Sequence, residues 1–344
     1  MKKLLAVCIA VLLMLVIIVF PRNTQESKRF KASFLDLFDT YTELTIYAAD
    51  ETEATRLATA ARDELRTCHQ LFDIYNTYEG INNLKTINDN AGIAPVEVDQ
   101  RIIDLLVFGK EMYELTGGRV NIAMGSVLEL WHEKRTEGIA DPESASLPDM
   151  DALEAAARHM DIDKLMIDEL SMTVYLADPE MSLDVGAIAK GFATERAAQL
   201  LMADGAQSAL LSVGGNVRAI GTRGDGTPWQ VGVQNPDLSE SAGDIATVAL
   251  VDRSMVTSGS YQRYYTVDGV RYHHIIDPQT LMPSTYVQSV TILTEDSALA
   301  DALSTALFTV SVEQGAEILS NFPNAEALWV DMEGEIFQTD GFMQ

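Results

Sequence analysis

One stretch of the chain restricts the fold more than any other: "SLDVGAIAKGFATERAAQLL", residues Ser182–Leu201. Four apolar residues recur in it at the spacing i, i+4, i+7 and i+8: Ala193, Ala197, Leu200 and Leu201. This spacing predicts a helix that begins near Gly191 and turns one apolar stripe towards a core. A polar loop with a glycine precedes the helix, so Lys190 is predicted to lie at the helix entrance.

A lysine at that position has two interpretations. A helix N-terminus offers free N–H groups and partial positive charge to an anion, and Lys190 adds a full charge beside it. The spacing is not that of a Walker-type loop, because Lys190 precedes Gly191 and no Ser or Thr comes next. The stretch therefore disfavours a Walker-type NTPase, and an exposed lysine in a tight turn stays open as the alternative.

The composition excludes one class of partner. The chain has 344 residues, of which 47% are hydrophobic, so it can form one large or two ordinary domains with a substantial core. It carries 24 Lys plus Arg against 51 Asp plus Glu, a net charge of -27. Such a surface repels a nucleic-acid backbone and an anionic membrane face. We expect no nucleic-acid partner, and attachment to a membrane would require a dedicated segment.

The N-terminus contains such a segment. Lys2 and Lys3 precede an uninterrupted apolar run, Leu4–Phe20. The run is close to the lower limit of about 17 residues for a membrane-spanning helix, and no small-residue cleavage pattern follows it. We therefore predict an uncleaved anchor at residues 1–22, a cell-membrane location and an extracytoplasmic catalytic domain. Cleavage, or lipidation at Cys8, remains an alternative.

Cysteine and histidine usage argues against two other kinds of site. The chain has two cysteines, and Cys8 lies in the apolar run, which leaves Cys68 without an intramolecular partner. This excludes a disulfide framework and a cysteine metal cluster. The five histidines show no HExxH spacing, which gives a zinc hydrolase little support.

The remaining chain reads as a short tether, residues 23–33, followed by one globular unit, residues 34–344. "TELTIYA" alternates like a first strand, and helical spacing recurs over Glu53–Phe72 and Arg101–Leu115. The acidic, proline-bearing stretch at residues 137–160 is the best candidate for an inserted lobe. Strands alternate with helices in the second half, which predicts a mixed α+β architecture.

Two further segments of the second half carry glycines, and the second of them also carries two adjacent histidines. "SALLSVGGNVRAIG" is typical of two strands joined at Gly214 and Gly215. "VTSGSYQRYYTVDGVRYHHIIDPQT" brings hydroxyls and aromatics together with His273 and His274. Adjacent residues on a strand point to opposite faces, so at most one of these histidines can serve a given site.

The last segment, "ALADALSTALFTV", carries polar groups on one side of an apolar helix. Asp301 and Thr305 lie one turn apart, opposite the apolar stripe. A carboxylate and a hydroxyl together suit a hard cation such as Mg²⁺, which keeps room for waters and substrate phosphates. A solvated helix face is the alternative.

Taken together and in this order, the motifs resemble those of the flavin transferases of the ApbE type, which move FMN from FAD onto a protein threonine. The resemblance covers nearly everything after the tether and rests on these stretches: "LFDTYTELTIYA", "LFDIYN", "VNIAMGSVLELW", "SLDVGAIAKG", "SVGGN", "TSGSYQRYY", "HIIDP" and "ADALSTALF". It implies a single mixed α/β catalytic unit of the ApbE, T-fold-like type with an inserted helical lobe.

The resemblance also implies roles for individual residues. Asp184 and Lys190 match positions that contact FAD, and His274 and Ile275 match an element beside the flavin and pyrophosphate. The metal ligands implied are the backbone carbonyl of Ala187 and the side chains of Asp301 and Thr305. Residues matching the flavin-pocket lining are Phe38, Tyr75, Ile122, Ala123 and Met124.

Two departures from the family pattern concern glycine. Ala187 stands where many members have a second glycine, a mild change if only the carbonyl is used. Leu281 and Met282 stand in "DPQTLMP" where a glycine commonly follows the threonine. This puts the turn of that loop in question.

The resemblance implies Mg²⁺-dependent transfer of FMN from FAD to a threonine of an exported or membrane-associated electron-transfer protein, with AMP released. Lys190 would neutralise phosphate charge, and His274 or Asp301 would accept the hydroxyl proton. Two alternatives stay open. One is a Mg²⁺-dependent FAD pyrophosphatase, and the other is a non-catalytic extracytoplasmic flavin-binding protein.

Overall fold

A computed structural model of the protein describes residues 27–237, 239 and 243–343. The predicted anchor, residues 1–22, lies outside these residues. Within the described ranges, no helix combines the length and the apolar character needed to cross a membrane.

The centre of the fold is an eight-stranded sheet in which neighbouring strands are all antiparallel. Its strands, in spatial order, are β1 (Lys28–Leu37), β2 (Thr40–Ala48), β6 (Ala209–Val213), β7 (Asn216–Ile220), β10 (Ser254–Gly259), β13 (Val287–Thr294), β14 (Glu326–Asp331) and β15 (Ile336–Gln338). An antiparallel sheet that carries helices on one face is an α+β arrangement. This confirms the mixed fold class predicted from the sequence.

Three smaller sheets accompany it. One has the order β3-β5-β4, and two are hairpins, β8–β9 and β11–β12. Their strands are β3 (Val96–Glu97), β4 (Leu165–Asp168), β5 (Thr173–Leu176), β8 (Trp229–Gln234), β9 (Asp244–Leu250), β11 (Tyr264–Val267) and β12 (Val270–His273). The described α-helices are α1 (Glu51–Phe72), α2 (Leu84–Asp89), α3 (Gln100–Leu115), α4 (Gly125–Ala140), α5 (Met150–Ala157), α6 (Ala189–Ala203), α7 (Ser297–Phe308) and α8 (Val312–Leu319).

The central sheet is buried on both faces. In β14, Ala327 and Trp329 belong to the main core beneath the helices, whereas Leu328 and Val330 belong to a second core under the β8–β9 hairpin. Successive residues of a strand point to opposite faces, so β14 contributes to both cores. The helix layer is formed by α1, α6 and α7, which pack side by side.

Aspartates begin several of these helices. Asp50, Asp99, Asp149 and Asp296 are the N-caps of α1, α3, α5 and α7, and each accepts a hydrogen bond from a backbone N–H of its helix. A carboxylate at this position satisfies free N–H groups and interacts favourably with the helix dipole. Some of the chain's acidic residues therefore stabilise the starts of its helices.

The stretch at residues 137–160 contains the end of α4, a loop and all of α5. These helices pack with the β11–β12 hairpin in a separate apolar cluster that includes Val127, Trp131, Leu153 and Tyr265. The Tyr265 hydroxyl donates to the carbonyl of Ser146 at 3.1 Å, which ties the hairpin to the α4–α5 loop. We call α4, α5 and the loop between them the lobe.

The structure corrects the start of the globular unit. β1 begins at Lys28, so residues 28–33 of the predicted tether belong to the sheet, and the "first" strand read from "TELTIYA" is β2. Phe30, partly buried against the core, alternates with the exposed Arg29 and Lys31. Charged residues are common on edge strands, and here they mask the period-two pattern.

Helices α6 and α7 are held together by buried polar contacts as well as by apolar packing. Glu195 of α6 accepts hydrogen bonds from the Arg218 side chain and from the N–H of Ser297, both at 3.0 Å. The Asp301 carboxylate accepts from the N–H of Gly191 at 2.8 Å. A Cβ on Gly191 would lie 2.3 Å from the Ser297 carbonyl oxygen and 2.4 Å from the Asp301 Cβ. This crossing therefore requires glycine at position 191.

We expect Gly191→Ala to destabilise the protein by about 2 kcal/mol, because the added methyl group overpacks the α6–α7 crossing. The measurement is the free energy of unfolding by urea denaturation. Met202→Ala is the control, since Met202 is on the same helix but 39% exposed, and it should change stability by less than about 0.5 kcal/mol. Equal stability of Gly191→Ala and the unmodified protein would contradict this account of the crossing.

Candidate active site

A cavity of about 590 Å³ opens where the sheet, the lobe and the α6–α7 pair meet. Its walls come from the β1–β2 turn, the loop after α1, α4, the loop before α6, the end of β10, the segment after β12, and α7. The volume is typical of sites that bind a small molecule. The lining mixes aromatic side chains with several charged groups.

Most of the residues predicted from the sequence line this one cavity: Phe38, Tyr75, Met124, Asp184, Ala187, Lys190, His274, Ile275, Asp301 and Thr305. They come from six separate parts of the chain, so their convergence is a property of the fold. Whether each contacts FAD stays a prediction.

The side chains of Ile122 and Ala123 do not line the cavity. Both are fully buried in the main core, which corrects the prediction that they face a flavin. Their segment acts through its backbone instead, because the Ile122 carbonyl accepts a hydrogen bond from the N–H of Asp184 at 2.9 Å. The segment therefore positions the loop that carries Asp184.

Asp301 is the most deeply buried charged group of the cavity wall. The side chain is 5% exposed; Oδ2 accepts from the N–H of Gly191, and Oδ1 lies 3.9 Å from Lys190 Nζ, beyond hydrogen-bond distance. Burial raises the pKa of Asp301, and the Lys190 charge and the Gly191 N–H oppose this rise. A buried carboxylate with one oxygen free of hydrogen bonds is costly unless it has a cation to bind.

The groups around Asp301 fit a magnesium ion better than zinc. Thr305 lies one turn further along α7, and Ala187 lines the same wall. Over the described ranges, no group of three or more His, Cys, Asp or Glu side chains is arranged to hold a metal. A cation here would have one carboxylate and neutral oxygens as protein ligands. That set suits Mg²⁺, which retains waters and substrate phosphates as its other ligands.

Asp184 places a second, partly buried carboxylate at the cavity. Its Oδ1 accepts from the N–H of Gly186 at 2.8 Å, which folds the loop that leads into α6. Burial raises the pKa of Asp184, whereas the Gly186 N–H and the Arg135 guanidinium oppose the rise. The carboxyl group can accept hydrogen bonds from a ligand.

The two adjacent histidines have different surroundings, as the strand geometry predicts. His273 is buried: its Nε2 donates to the Ser284 carbonyl at 2.8 Å, and its Nδ1 accepts from the N–H of Ile275 at 3.2 Å. Both ring nitrogens are used, so its role is structural. His274 Nδ1 lies 3.2 Å from the Arg263 carbonyl oxygen. A carbonyl only accepts, so Nδ1 carries the proton and Nε2 keeps its lone pair.

His274 is held in the neutral form. Burial, followed by the charges of Arg263, Lys190 and Arg135, lowers the pKa of His274 to about 3. The imidazole is therefore uncharged at neutral pH. A neutral imidazole with a free Nε2 can accept a proton from a hydroxyl group.

Two aromatic residues are fixed at the cavity by local backbone structure. Phe38 and Asp39 form the β1–β2 turn with φ of 53° and 50°, values that a bulky residue rarely adopts. The Phe38 N–H donates to His69 Nδ1 at 3.2 Å, and the two rings pack edge to face. Tyr75 follows a turn capped by Asp73, whose Oδ1 accepts from its N–H at 2.7 Å.

The loop in which Leu281 and Met282 replace a glycine keeps a left-handed backbone. Leu281 has φ of 61°, and its N–H donates to the Asp277 carbonyl at 2.8 Å. Its carbonyl accepts from Trp131 Nε1 at 2.9 Å, and its side chain is buried against the lobe. These contacts hold a conformation that glycine would adopt without strain. The left-handed turn therefore forms here at a leucine instead of a glycine.

Several cavity residues were missed by the sequence analysis. Arg135 lies one turn after Trp131 on α4, with Nη2 2.9 Å from His132 Nδ1, and Arg263 follows β10. Asn216 is buried, and its Nδ2 forms no hydrogen bond within the part of the chain that the structure describes. Its amide nevertheless lies close enough to Asp301 to lower the pKa of that carboxyl group. Arg263 lies within "TSGSYQRYY" and Asn216 within "SVGGN". These two motifs could therefore have indicated that both residues belong to the site.

Comparisons with known proteins agree with this geometry. The model of the ApbE family matches residues 38–329. An FAD:protein FMN transferase of Treponema pallidum (strain Nichols) is 38% identical over 261 residues, which are 72% of this chain and 70% of that protein. An FAD:protein FMN transferase of Escherichia coli (strain K12) is 27% identical over 304 residues, 87% of this chain and 84% of that protein.

Solved structures show the same fold. The ApbE protein of Thermotoga maritima has a TM-score of 0.80 and 30% identity, over 92% of this chain and 100% of that chain. The flavin transferase ApbE of Vibrio cholerae has a TM-score of 0.77 at 23% identity, over 92% and 98% of the two chains. The family match spans most of the sequence and includes the cavity-lining segments from Phe38 to Thr305. The chain therefore belongs to the ApbE family.

Proposed function

We propose that this chain, a transferase enzyme of the ApbE family, transfers FMN from FAD to a threonine hydroxyl of an acceptor protein. The reaction forms a phosphoester, releases AMP and depends on Mg²⁺. Relatives named FAD:protein FMN transferase support the transfer. The observation that carries the proposal is the meeting of Asp301, Lys190 and a neutral His274 in one cavity.

The protein ligands proposed for the metal are the Asp301 carboxylate, the Thr305 hydroxyl and the Ala187 carbonyl. When bound, Mg²⁺ would neutralise negative charge on the diphosphate of FAD. Lys190 contributes a second positive charge to the same region, since its Nζ lies 3.9 Å from Asp301 Oδ1. The attacked phosphorus needs this neutralisation before a hydroxyl can approach.

His274 is better suited than Asp301 to accept the proton of the attacking hydroxyl. One Asp301 oxygen already accepts the Gly191 N–H, and we assign the other to the cation. His274 has a free Nε2, while Nδ1 is fixed by the Arg263 carbonyl. The neighbouring cations that lower its pKa would be partly neutralised by the bound diphosphate, which raises its basicity when substrate is present.

The flavin is proposed to occupy the aromatic part of the cavity. Phe38 and Tyr75 come from neighbouring turns, and Met124 and Ile275 add apolar surface. Asp184 supplies a partly buried acceptor for N–H or hydroxyl groups of the flavin and its ribityl chain. Apolar walls with a few fixed polar groups are the usual means of orienting such a ligand.

We also propose that residues 1–22 anchor the chain and that the catalytic domain faces away from the cytoplasm, where it meets an exported or membrane-associated redox protein. The support is the charged start and the apolar run Leu4–Phe20. We expect the chain to remain with membranes after a high-salt wash and to be degraded by protease added to spheroplasts. Recovery of the full chain in the cytosolic fraction would contradict this.

We expect Asp301→Asn to lower transfer at least about 100-fold, because a neutral amide cannot hold the cation as the carboxylate does. Full-length protein is incubated with FAD, Mg²⁺ and an acceptor carrying a threonine in a small-residue motif. Intact mass reports addition of one FMN, and released AMP is measured beside it. Glu295→Gln removes an equal charge from an exposed neighbour and should retain activity. AMP without a mass increase in the unmodified protein would indicate a pyrophosphatase.

We expect His274→Gln to lower the transfer rate about 100-fold through loss of the proton acceptor. His159→Gln, at a partly exposed histidine outside the cavity, should leave the rate unchanged.

The pH profile tests the same group. A lowered pKa means that His274 is neutral above about pH 3 and becomes charged only below it. We therefore expect kcat/KM for FAD to show no loss near the ordinary histidine value of about 6.5. A decline centred there that is absent in His274→Gln would contradict the neutral-base assignment.

A further inference from the structure

Two arginines of the cavity wall form no ion pair within the described residues. Arg135 and Arg263 both line the cavity, and neither forms an ion pair with a carboxylate in the described ranges. The third cavity arginine, Arg119, differs: its guanidinium lies 3.0 Å from the buried Asp277 carboxylate and also donates to the Thr309 carbonyl. Arg119 is therefore structural, whereas the charges of the other two are available to a ligand.

The fold fixes both arginines beside His274. The Arg263 carbonyl accepts from the N–H of His274 at 3.1 Å and from Nδ1 at 3.2 Å. Arg135 Nη2 lies 2.9 Å from Nδ1 of His132, whose pKa is lowered by burial and by the Arg135 charge, so the neutral ring accepts this hydrogen bond. A guanidinium has five N–H donors, and most of those on Arg135 remain unused.

The two positive charges also lie close enough to repel each other. Burial and the Arg263 charge lower the pKa of Arg135, whereas Tyr75 and the Asp184 carboxylate oppose this shift, and both arginines act on His274. Binding of an anion would relieve the repulsion, and paired guanidinium groups match the oxygens of a phosphate.

We infer that Arg135 and Arg263 form an anion subsite for the phosphate of the adenylate half of FAD, an inference that rests on the proposed function. The substrate has two phosphates, and the cavity has two cationic regions. Lys190, with the cation held by Asp301, serves the FMN phosphate that is attacked. The arginines, on α4 and after β10, serve the other phosphate.

This assignment gives the arginines a role in the transfer step. The threonine oxygen forms a bond to the FMN phosphorus, and its proton passes to His274. The bond between that phosphorus and the bridging oxygen breaks, and its electron pair leaves with AMP. The phosphate of AMP thereby gains negative charge, which the two guanidinium groups stabilise.

The test compares the affinities of four ligands for Arg135→Gln and Arg263→Gln: FAD, AMP, FMN and riboflavin. Dissociation constants are measured by calorimetry on the full-length protein without an acceptor. We expect each variant to bind FAD and AMP at least about tenfold more weakly, with FMN and riboflavin unchanged. Arg271→Gln is the matched control, because Arg271 stacks on Tyr264 in the adjacent hairpin and does not line the cavity.

Unchanged FAD and AMP affinity in both variants would overturn the inference, as would an equal loss of FMN affinity. So would an increased KM for the acceptor with unchanged AMP affinity, which would assign the arginines to an acidic group of the acceptor. FAD binding without transfer by the unmodified protein would count against the proposed function alone, because the affinities report on the subsite separately. Failure of the unmodified protein to bind FAD would overturn both.

Discussion

The close crossing of α6 and α7 is the contact on which the rest of the site depends. Gly191 lets the two helix backbones approach, and its N–H donates to the Asp301 carboxylate. The same approach brings Lys190 to the open side of that carboxylate. Glu195 also stabilises the crossing, because its carboxylate accepts hydrogen bonds from the N–H of Ser297, at the start of α7, and from the side chain of Arg218 in the sheet. One glycine therefore determines where a buried acid and a lysine face the cavity.

Around this crossing, an acidic protein concentrates positive charge in one place. Burial, together with the charges of Arg263, Lys190 and Arg135, keeps the His274 imidazole neutral. Elsewhere in the described chain, many arginines are neutralised by nearby carboxylates, as Arg101 and Arg196 are by Glu64. The cavity is an electrostatic exception within a chain of net charge -27. Its field favours an anionic ligand and a neutral base at the same time.

Much of the fold and of the candidate site could be predicted from the sequence. The features that could not be predicted were missed for identifiable physical reasons. Helical spacing predicted α1, α3, α6 and the polar side of α7, because the 3.6-residue period can be recognised within one short segment of sequence. The start of β1 was missed because charged edge residues hide its alternation. Ile122 and Ala123 were assigned to the flavin although their side chains are core, since a motif does not reveal whether backbone or side chain is used. The role of Arg135 could not be predicted from the sequence, because only folding brings α4 beside His274.

The separate apolar cluster of the lobe has a consequence for how such a protein can diverge. Val127, Trp131 and Leu153 pack with the β11–β12 hairpin and not with the two cores of the sheet. The apolar packing of the lobe is therefore largely separate from the α6–α7 crossing and its reactive groups. The wall of the cavity that the lobe forms can change its shape and charge over evolution while the chemistry is retained. One scaffold could thus acquire new acceptor proteins without having to rebuild its catalytic centre.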